Sequence, residues 1–156
     1  MSAGTQDEAA VELAREVLDR AEIEQLVSAM GAVLDERRFE DFGDVFAEDV
    51  EARFPFGAVE GLAAMTEIAR RTLGPYEQTQ HAIADVLAEL DGDRADVSAN
   101  LIAVHVPSAA EPARHFDVGA RYRFEVRRTE AGWRLARVEL TPVWTSGVPA
   151  AAGHGA

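Results

Sequence analysis

The fold is decided by residues 79–106, whose sequence reads TQHAIADVLAELDGDRADVSANLIAVHV. Across 95–103 the odd positions are apolar and nearly all the even ones polar, which is the two-residue period of a half-buried β-strand. Asp91-Gly92 is a pair typical of a tight hairpin turn. Residues 79–90 and 94–106 are therefore predicted to pair as antiparallel strands.

The regions on either side complete the prediction of an α+β fold. Long strands are also predicted at 115–128 and 133–144, whereas apolar residues at steps of three and four in the amino-terminal half are typical of amphipathic helices. Those helices are predicted over residues 8–38, 39–47 and 61–73, with one short strand at 50–54. We expect a cone-shaped barrel, in which the amino-terminal helices pack on a curved antiparallel sheet of four long strands plus one short strand.

A chain of 156 residues is long enough for one domain with a proper core. We place this domain at residues 9–145. Residues 1–8 are expected to be a disordered amino terminus, and the Gly/Ala-rich residues 146–156 a disordered tail.

Composition and charge exclude several classes of function. The formal net charge of −13 disfavours nucleic acid and anionic membranes as partners. The chain has no cysteine, no paired-histidine metal motif and no glycine-rich nucleotide loop, so we expect neither a metal nor a cofactor. No apolar run is long enough to span a bilayer and the start lacks the pattern of a signal peptide, so we expect a cytoplasmic protein.

Strand period also selects candidate site residues. His105 continues the inward-facing set of its strand, and Tyr122 lies on the inward face of the next, where it is a candidate hydrogen-bond donor to a ligand. His81 lies near the start of the first long strand, and its direction depends on a β-bulge expected near Asp85. Asp35 ends the apolar stripe of the long helix, where a carboxylate could orient and charge-stabilise an imidazole.

Each of these residues also has an ordinary structural explanation. A single inward histidine is more often a satisfied core residue than a catalyst, and Asp35 could be a plain helix-end carboxylate. Further apolar contacts to a ligand are expected from Met30, Phe54, Phe56 and Trp144, although such aromatic side chains are by default core or interface residues.

Four short motifs, taken together and in their order along the chain, make it resemble the SnoaL-like branch of the nuclear-transport-factor-2-like superfamily. They are Leu34-Asp35, Thr79-Gln80-His81, Val104-His105 and Gly132-Trp133-Arg134-Leu135. The pattern is similar to that of scytalone dehydratase and the bile-acid dehydratases. The resemblance implies that His81 removes a proton next to a carbonyl, that Asp35 orients His81, and that His105 binds an oxygen of the substrate or leaving group.

The resemblance implies a cofactor-independent dehydratase, cyclase or isomerase that acts on a small hydrophobic carbonyl compound, such as a polyketide- or steroid-like metabolite. Two tyrosines of the dehydratase pattern correspond to Leu34 and Phe54 here, so a non-catalytic protein that only binds such a molecule stays an alternative. Apolar residues at outward positions of the strands also lead us to expect a homo-oligomer, either a dimer or a trimer.

Overall fold

The computed structural model describes residues 3–150. The helices are α1 (Ala3–Asp35), α2 (Phe42–Val45) and α3 (Leu62–Leu73), with a 3-10 turn at Phe39–Asp41 before α2. The strands are β1 (Phe46–Phe54), β2 (Gly57–Glu60), β3 (Gln78–Asp91), β4 (Arg94–Val106), β5 (Phe116–Thr129) and β6 (Gly132–Ser146).

All six strands form one curved sheet with the order β2-β1-β6-β5-β4-β3. The four long strands make the predicted antiparallel meander, whereas β1 pairs with β6 in parallel. The sheet does not close, since β2 and β3 are its two edges. Helices α1 and α3 cover its concave face, which confirms the α+β cone.

The strand faces agree with the two-residue period. On β4, the odd positions from Ala95 to Ala103 are all buried, and on β5 the even positions from Ala120 to Val126 are buried as well. Apolar side chains of α1, among them Ile23, Val27 and Met30, pack onto this inner face to form the core. This core leaves an open cavity between the sheet and the helices.

The predicted bulge in β3 is present. The register between β3 and β4 shifts between Ala84 and Leu87, and Asp85 adopts a left-handed backbone with φ 54°. The shift lets Ile83 on one side, and Ala88 on the other, both face the core. His81 is thereby placed on the inner face, opposite Ala103 of β4.

Both ends of the predicted domain differ from expectation. Helix α1 begins at Ala3, so the described part of residues 1–8, expected to be disordered, is helical. At the other end β6 continues to Ser146, and residues 147–150 fold back so that Pro149 and Ala150 reach the concave side of the sheet. The rest of the predicted tail, residues 151–156, lies outside the described residues.

Two elements in the amino-terminal half also differ from the prediction. The expected helix at 39–47 ends at Val45, and the chain enters β1 at Phe46 rather than at Val50. Strand β2 was not predicted, because four residues are too short to show a period. In residues 3–150 there is no helix with the length and hydropathy needed to span a bilayer.

Candidate active site

A cavity of about 500 Å³ lies between the concave face of the sheet and helices α1 and α3. A volume in this range suits a small organic ligand. Most of its wall is apolar, and Met30, Phe54 and Phe56, which are predicted to contact a ligand, are among the lining residues. His81, His105 and Tyr122 reach the same cavity from three neighbouring strands.

Asp35 and His81 form a hydrogen-bonded pair at the edge of this cavity. His81 Nδ1 lies 2.6 Å from Asp35 Oδ1, and the backbone N–H of His81 donates to Asp35 Oδ2 at 2.9 Å. Because a carboxylate only accepts, this contact places the ring proton on Nδ1 and leaves the lone pair of Nε2 free. The His81 side chain is only 7% exposed, and Asp35 is the carboxylate that contacts it.

The carboxylate of Asp35 is held ionised by its neighbours. Burial raises the pKa of Asp35, but hydrogen bonds from the ring and backbone of His81, the charge of His81 and the Thr79 hydroxyl lower it by more. The pKa of Asp35 therefore lies below its ordinary value. The Thr79 hydroxyl donates to Oδ1 at 3.0 Å, a contact that sequence reasoning missed although Thr79 opens the same short motif as His81.

Close approach of α1 to β3 brings the pair together. A Cβ on Gly31 would lie 3.3 Å from the His81 carbonyl oxygen and 3.4 Å from Ile83 Cδ1. Gly31 thus lets the last turns of α1 lie directly on the strand that holds His81. Its role was not visible in the sequence, where one glycine within a helical pattern has no specific meaning.

His105 is the second imidazole of the cavity, with its ring centroid 5.7 Å from that of His81. Its Nδ1 donates to the Phe116 carbonyl oxygen at 3.0 Å, which leaves Nε2 as an acceptor. Burial and the neighbouring His81 lower the pKa of His105, and the bond to Phe116 opposes them only in part. His105 is therefore a neutral imidazole near pH 7.

Tyr122 is buried, with its ring stacked 4.9 Å from that of Phe124. Burial alone raises the pKa of Tyr122, and its hydroxyl has no hydrogen-bond partner among residues 3–150. It therefore stays protonated and can donate to an oxygen atom of a molecule in the cavity.

Trp144 is not part of the cavity, which corrects the prediction that it contacts a ligand. In the register of the sheet it lies beside Gly119, which in turn pairs with Ile102. Ile102 lies between Leu101 and Ala103, which face inward, so Ile102 faces outward. Residues paired across strands point to the same face of a sheet. Trp144 is thus on the outer face, 45% exposed.

Among the polar residues of the cavity that the sequence analysis missed are Tyr76 and Arg71. Tyr76 follows the Gly74-Pro75 stop of α3, and its ring lies 4.9 Å from that of His105. Arg71, near the end of α3, lines the cavity beside Thr72 and Pro75. Neither residue belongs to a strand pattern, so no periodicity indicated them.

The described residues contain no group of three or more His, Asp or Glu side chains arranged to hold a metal ion. The polar groups of the cavity instead suit proton transfer. They include one carboxylate-supported base, one neutral imidazole and the hydroxyl donor of Tyr122, set in a largely apolar wall.

The Asp35–His81 pair at the edge of an apolar cavity within an α+β cone defines a domain with one pocket suited to a small organic ligand. The model of the SnoaL-like domain matches residues 15–139, so the chain belongs to the SnoaL-like family.

Among relatives, the uncharacterized protein Rv2910c of Mycobacterium tuberculosis is 28% identical over 125 residues, covering 78% of this chain and 84% of the relative. The solved structure of Kfla4162 from Kribbella flavida is 27% identical, with a TM-score of 0.78 over 84% of this chain and 95% of that one.

Two further solved structures show the same fold. A protein provisionally named a scytalone dehydratase, from Novosphingobium aromaticivorans, is 21% identical with a TM-score of 0.77, covering 90% of this chain and 96% of that one. The hexachlorocyclohexane dehydrochlorinase LinA, type 2, is 20% identical with a TM-score of 0.74, covering 90% and 95%.

Proposed function

We propose that the protein is a cofactor-independent acid/base enzyme, a lyase or isomerase, which acts on a small hydrophobic carbonyl compound. The observation that supports this most directly is the 2.6 Å contact between Asp35 and His81 at the wall of an apolar cavity. An imidazole whose other ring nitrogen is held by a carboxylate is a suitable general base for a substrate in the cavity.

In the proposed reaction, Nε2 of His81 takes a proton from the carbon next to the carbonyl group. The Asp35 carboxylate stabilises the imidazolium that results. Negative charge moves to the carbonyl oxygen, where the Tyr122 hydroxyl donates a hydrogen bond. In a dehydration, His81 then passes its proton to the departing hydroxyl group as the C–O bond breaks, so that water leaves and His81 is neutral again.

His105 has a separate part in this proposal. Its neutral ring offers the Nε2 lone pair to the cavity, so it accepts a hydrogen bond from a hydroxyl group of the substrate. This orients the substrate without competing with His81 for the proton, since the pKa of His105 is lowered. Lyases occur among the named structural neighbours, a dehydrochlorinase and a protein provisionally named a dehydratase, and this agrees with the proposed class.

A carbon-acid probe tests the base directly. In D₂O we expect the protein to speed deuterium uptake at the carbon next to the carbonyl of 2-tetralone, as measured by mass spectrometry. His81→Ala and Asp35→Asn are expected to lower this rate about 100-fold or more while binding is largely kept. Arg121→Gln, on the outer face of β5, is the control with the wild-type rate. Undiminished exchange in either site variant would contradict the proposal.

The alternative is a protein that binds such a molecule without acting on it. Leu34 and Phe54 favour it, because both line the cavity at the positions where the dehydratase pattern has tyrosines. This alternative predicts that the wild type binds 2-tetralone with no exchange above the rate in buffer.

A further inference from the structure

Arg71 is the only permanently charged side chain among the described residues that line the cavity. All 15 basic residues of the chain are arginines, against 28 acidic ones. Arg71 therefore places a positive charge in the wall of a largely apolar cavity, in a protein whose net charge is −13.

No carboxylate among residues 3–150 forms an ion pair with Arg71. The arginines that form such pairs are Arg20, Arg38, Arg114, Arg127, Arg128 and Arg137. Glu67 precedes Arg71 by four residues on α3, a spacing at which Glu–Arg pairs form readily, yet the two are not paired. Arg70, the residue before Arg71, has a different contact, because its guanidinium lies over the ring of Phe39, 4.9 Å from the centroid.

The helix dipole offers an explanation, independent of ligand binding, for the position of Arg71 in the last turn of α3. Basic side chains there interact favourably with the helix dipole, and both Arg70 and Arg71 occupy that turn. This interaction accounts for a positive charge at the helix end. It does not account for the place of Arg71 in the cavity lining, nor for the missing ion pair with Glu67.

An aromatic surface belongs to the same cavity. The rings of Phe54 and Phe56 stack with their centroids 5.2 Å apart and their planes at 12°. Phe56 is 61% exposed although it lines the cavity, so a bound apolar group would cover it. The cavity thus combines this aromatic surface, the deeper polar groups of His81 and Tyr122, and one exposed cation.

We infer that the substrate is an amphipathic anion, a hydrophobic molecule whose carboxylate group is bound by Arg71 while its apolar body contacts Phe54 and Phe56. This rests on the proposed function for the identity of the cavity as the substrate site, and it narrows the class of substrate. Arginine suits the role because its planar guanidinium binds a carboxylate through two parallel hydrogen bonds.

A matched pair of ligands tests the inference by binding alone. The neutral dye N-phenyl-1-naphthylamine reports occupancy of the cavity by its fluorescence, and 2-naphthylacetate and 2-(2-naphthyl)ethanol compete with it. The two competitors differ only in their carboxylate and alcohol groups. For the wild type we expect the acid to displace the dye at about three- to fivefold lower concentration than the alcohol, as suits an exposed pair. This advantage is expected to shrink from about 0.02 to about 0.5 M NaCl.

Variants assign the effect to Arg71. Arg71→Gln is expected to abolish the preference for the acid and to leave the affinities for the dye and the alcohol within about twofold. Arg121→Gln removes the same charge from the outer face, and Glu67→Gln removes the neighbouring carboxylate. Both are expected to keep the preference.

An equal affinity of the wild type for acid and alcohol would overturn the inference, as would an intact preference in Arg71→Gln. An equal loss of affinity for all three molecules in Arg71→Gln would assign Arg71 a structural role and overturn it as well. His81→Ala and Asp35→Asn are expected to keep the preference, so failure of the proposed reaction and failure of this inference give different results.

Discussion

At the scale of single residues, the two cavity histidines differ in what holds Nδ1. His81 donates to a carboxylate, whereas His105 donates to the carbonyl oxygen of Phe116. A carboxylate stabilises a charged ring far more than a carbonyl does. In the proposed function this difference assigns the two rings different tasks in one cavity, proton transfer to His81 and hydrogen-bond acceptance to His105.

Burial of His105 predicts a dependence of stability on pH. Because the pKa of His105 is lowered on folding, the unfolded chain binds more protons than the folded one just below the ordinary value of about 6.5. Above that value, burial of neutral His105 does not lower the free energy of unfolding. As the pH falls toward the lowered pKa, the unfolded chain takes up the proton first, and the free energy of unfolding decreases. We expect the free energy of unfolding in urea to fall less between about pH 7.5 and pH 5.5 for His105→Gln than for the wild type.

Thr141→Gln is the control, since Thr141 has no titratable group, is exposed and lies outside the cavity. It is expected to keep the pH dependence of the wild type. Identical pH dependence for His105→Gln and the wild type would show that burial of His105 has no effect on proton binding.

The site could be predicted from the sequence only where a strand period fixed the direction of a side chain. The inward positions of His105 and Tyr122 followed from the period of their strands. The contact of Asp35 with His81 was implied only by the resemblance to a family, because the sequence at a helix end does not indicate which residue it contacts. The predicted ligand contact of Trp144 was wrong. The register of β6 against β5 shifts between Gly119 and Ala120, and this shift, which the sequence does not reveal, turns Trp144 to the outer face. Arg71 and Tyr76 lie on a helix end and in a turn, where no period applies.

At the scale of elements, the bulge of β3 decides whether His81 and the distal half of the strand can share one face. Asp85 lies at its centre with φ 54°, and the side-chain amide of Asn100 donates to Asp85 Oδ2 at 2.9 Å. Aspartate and asparagine tolerate left-handed backbone better than β-branched residues do.

We therefore expect Asp85→Val to lower the free energy of unfolding in urea by about 1–2 kcal/mol. Asp85→Asn, which suits the same backbone, is the control and is expected to stay within about 0.5 kcal/mol of the wild type. Equal stability of the valine variant would mean that the bulge does not depend on the residue at position 85.

This bulge was predictable because Ile83 and Val86 indicated opposite faces of one strand, a conflict that only an inserted residue resolves. The length of α1 was not predictable in the same way. Residues 4–18 are all exposed, and the first buried residue of the helix is Asp19. Without burial on one side, a helical segment has no apolar stripe from which its start can be read.

At the scale of the whole molecule, strand order was the hardest feature to derive. The meander followed from short connections between the long strands, but the parallel pairing of β1 with β6 joins segments more than 80 residues apart in sequence. A period states which side chains share a face and not which strand lies alongside. Within residues 3–150, no helix covers the convex face of this open sheet.

Self-association through that convex face stays a prediction from the sequence. Ile102, Gly119 and Trp144 lie side by side on it, and Ile102 is 51% exposed. A Cβ on Gly119 would overlap the indole of Trp144, so the ring is held against the strand as a flat apolar surface. Burial of such a surface against a second copy is favourable, whereas a buried unpaired charge there is costly.

We therefore expect light scattering to give the wild type a mass of two or three times 16.9 kDa and Trp144→Arg a mass of one chain. Leu87→Arg is the control, which introduces the same charge at an exposed apolar residue of β3. Leu87 is 69% exposed and pairs with Ser98, away from Ile102. This variant is expected to leave the assembly intact. Far-ultraviolet circular dichroism checks that both variants are folded. A wild-type mass of one chain, or equal dissociation by both substitutions, would contradict an interface centred on Trp144.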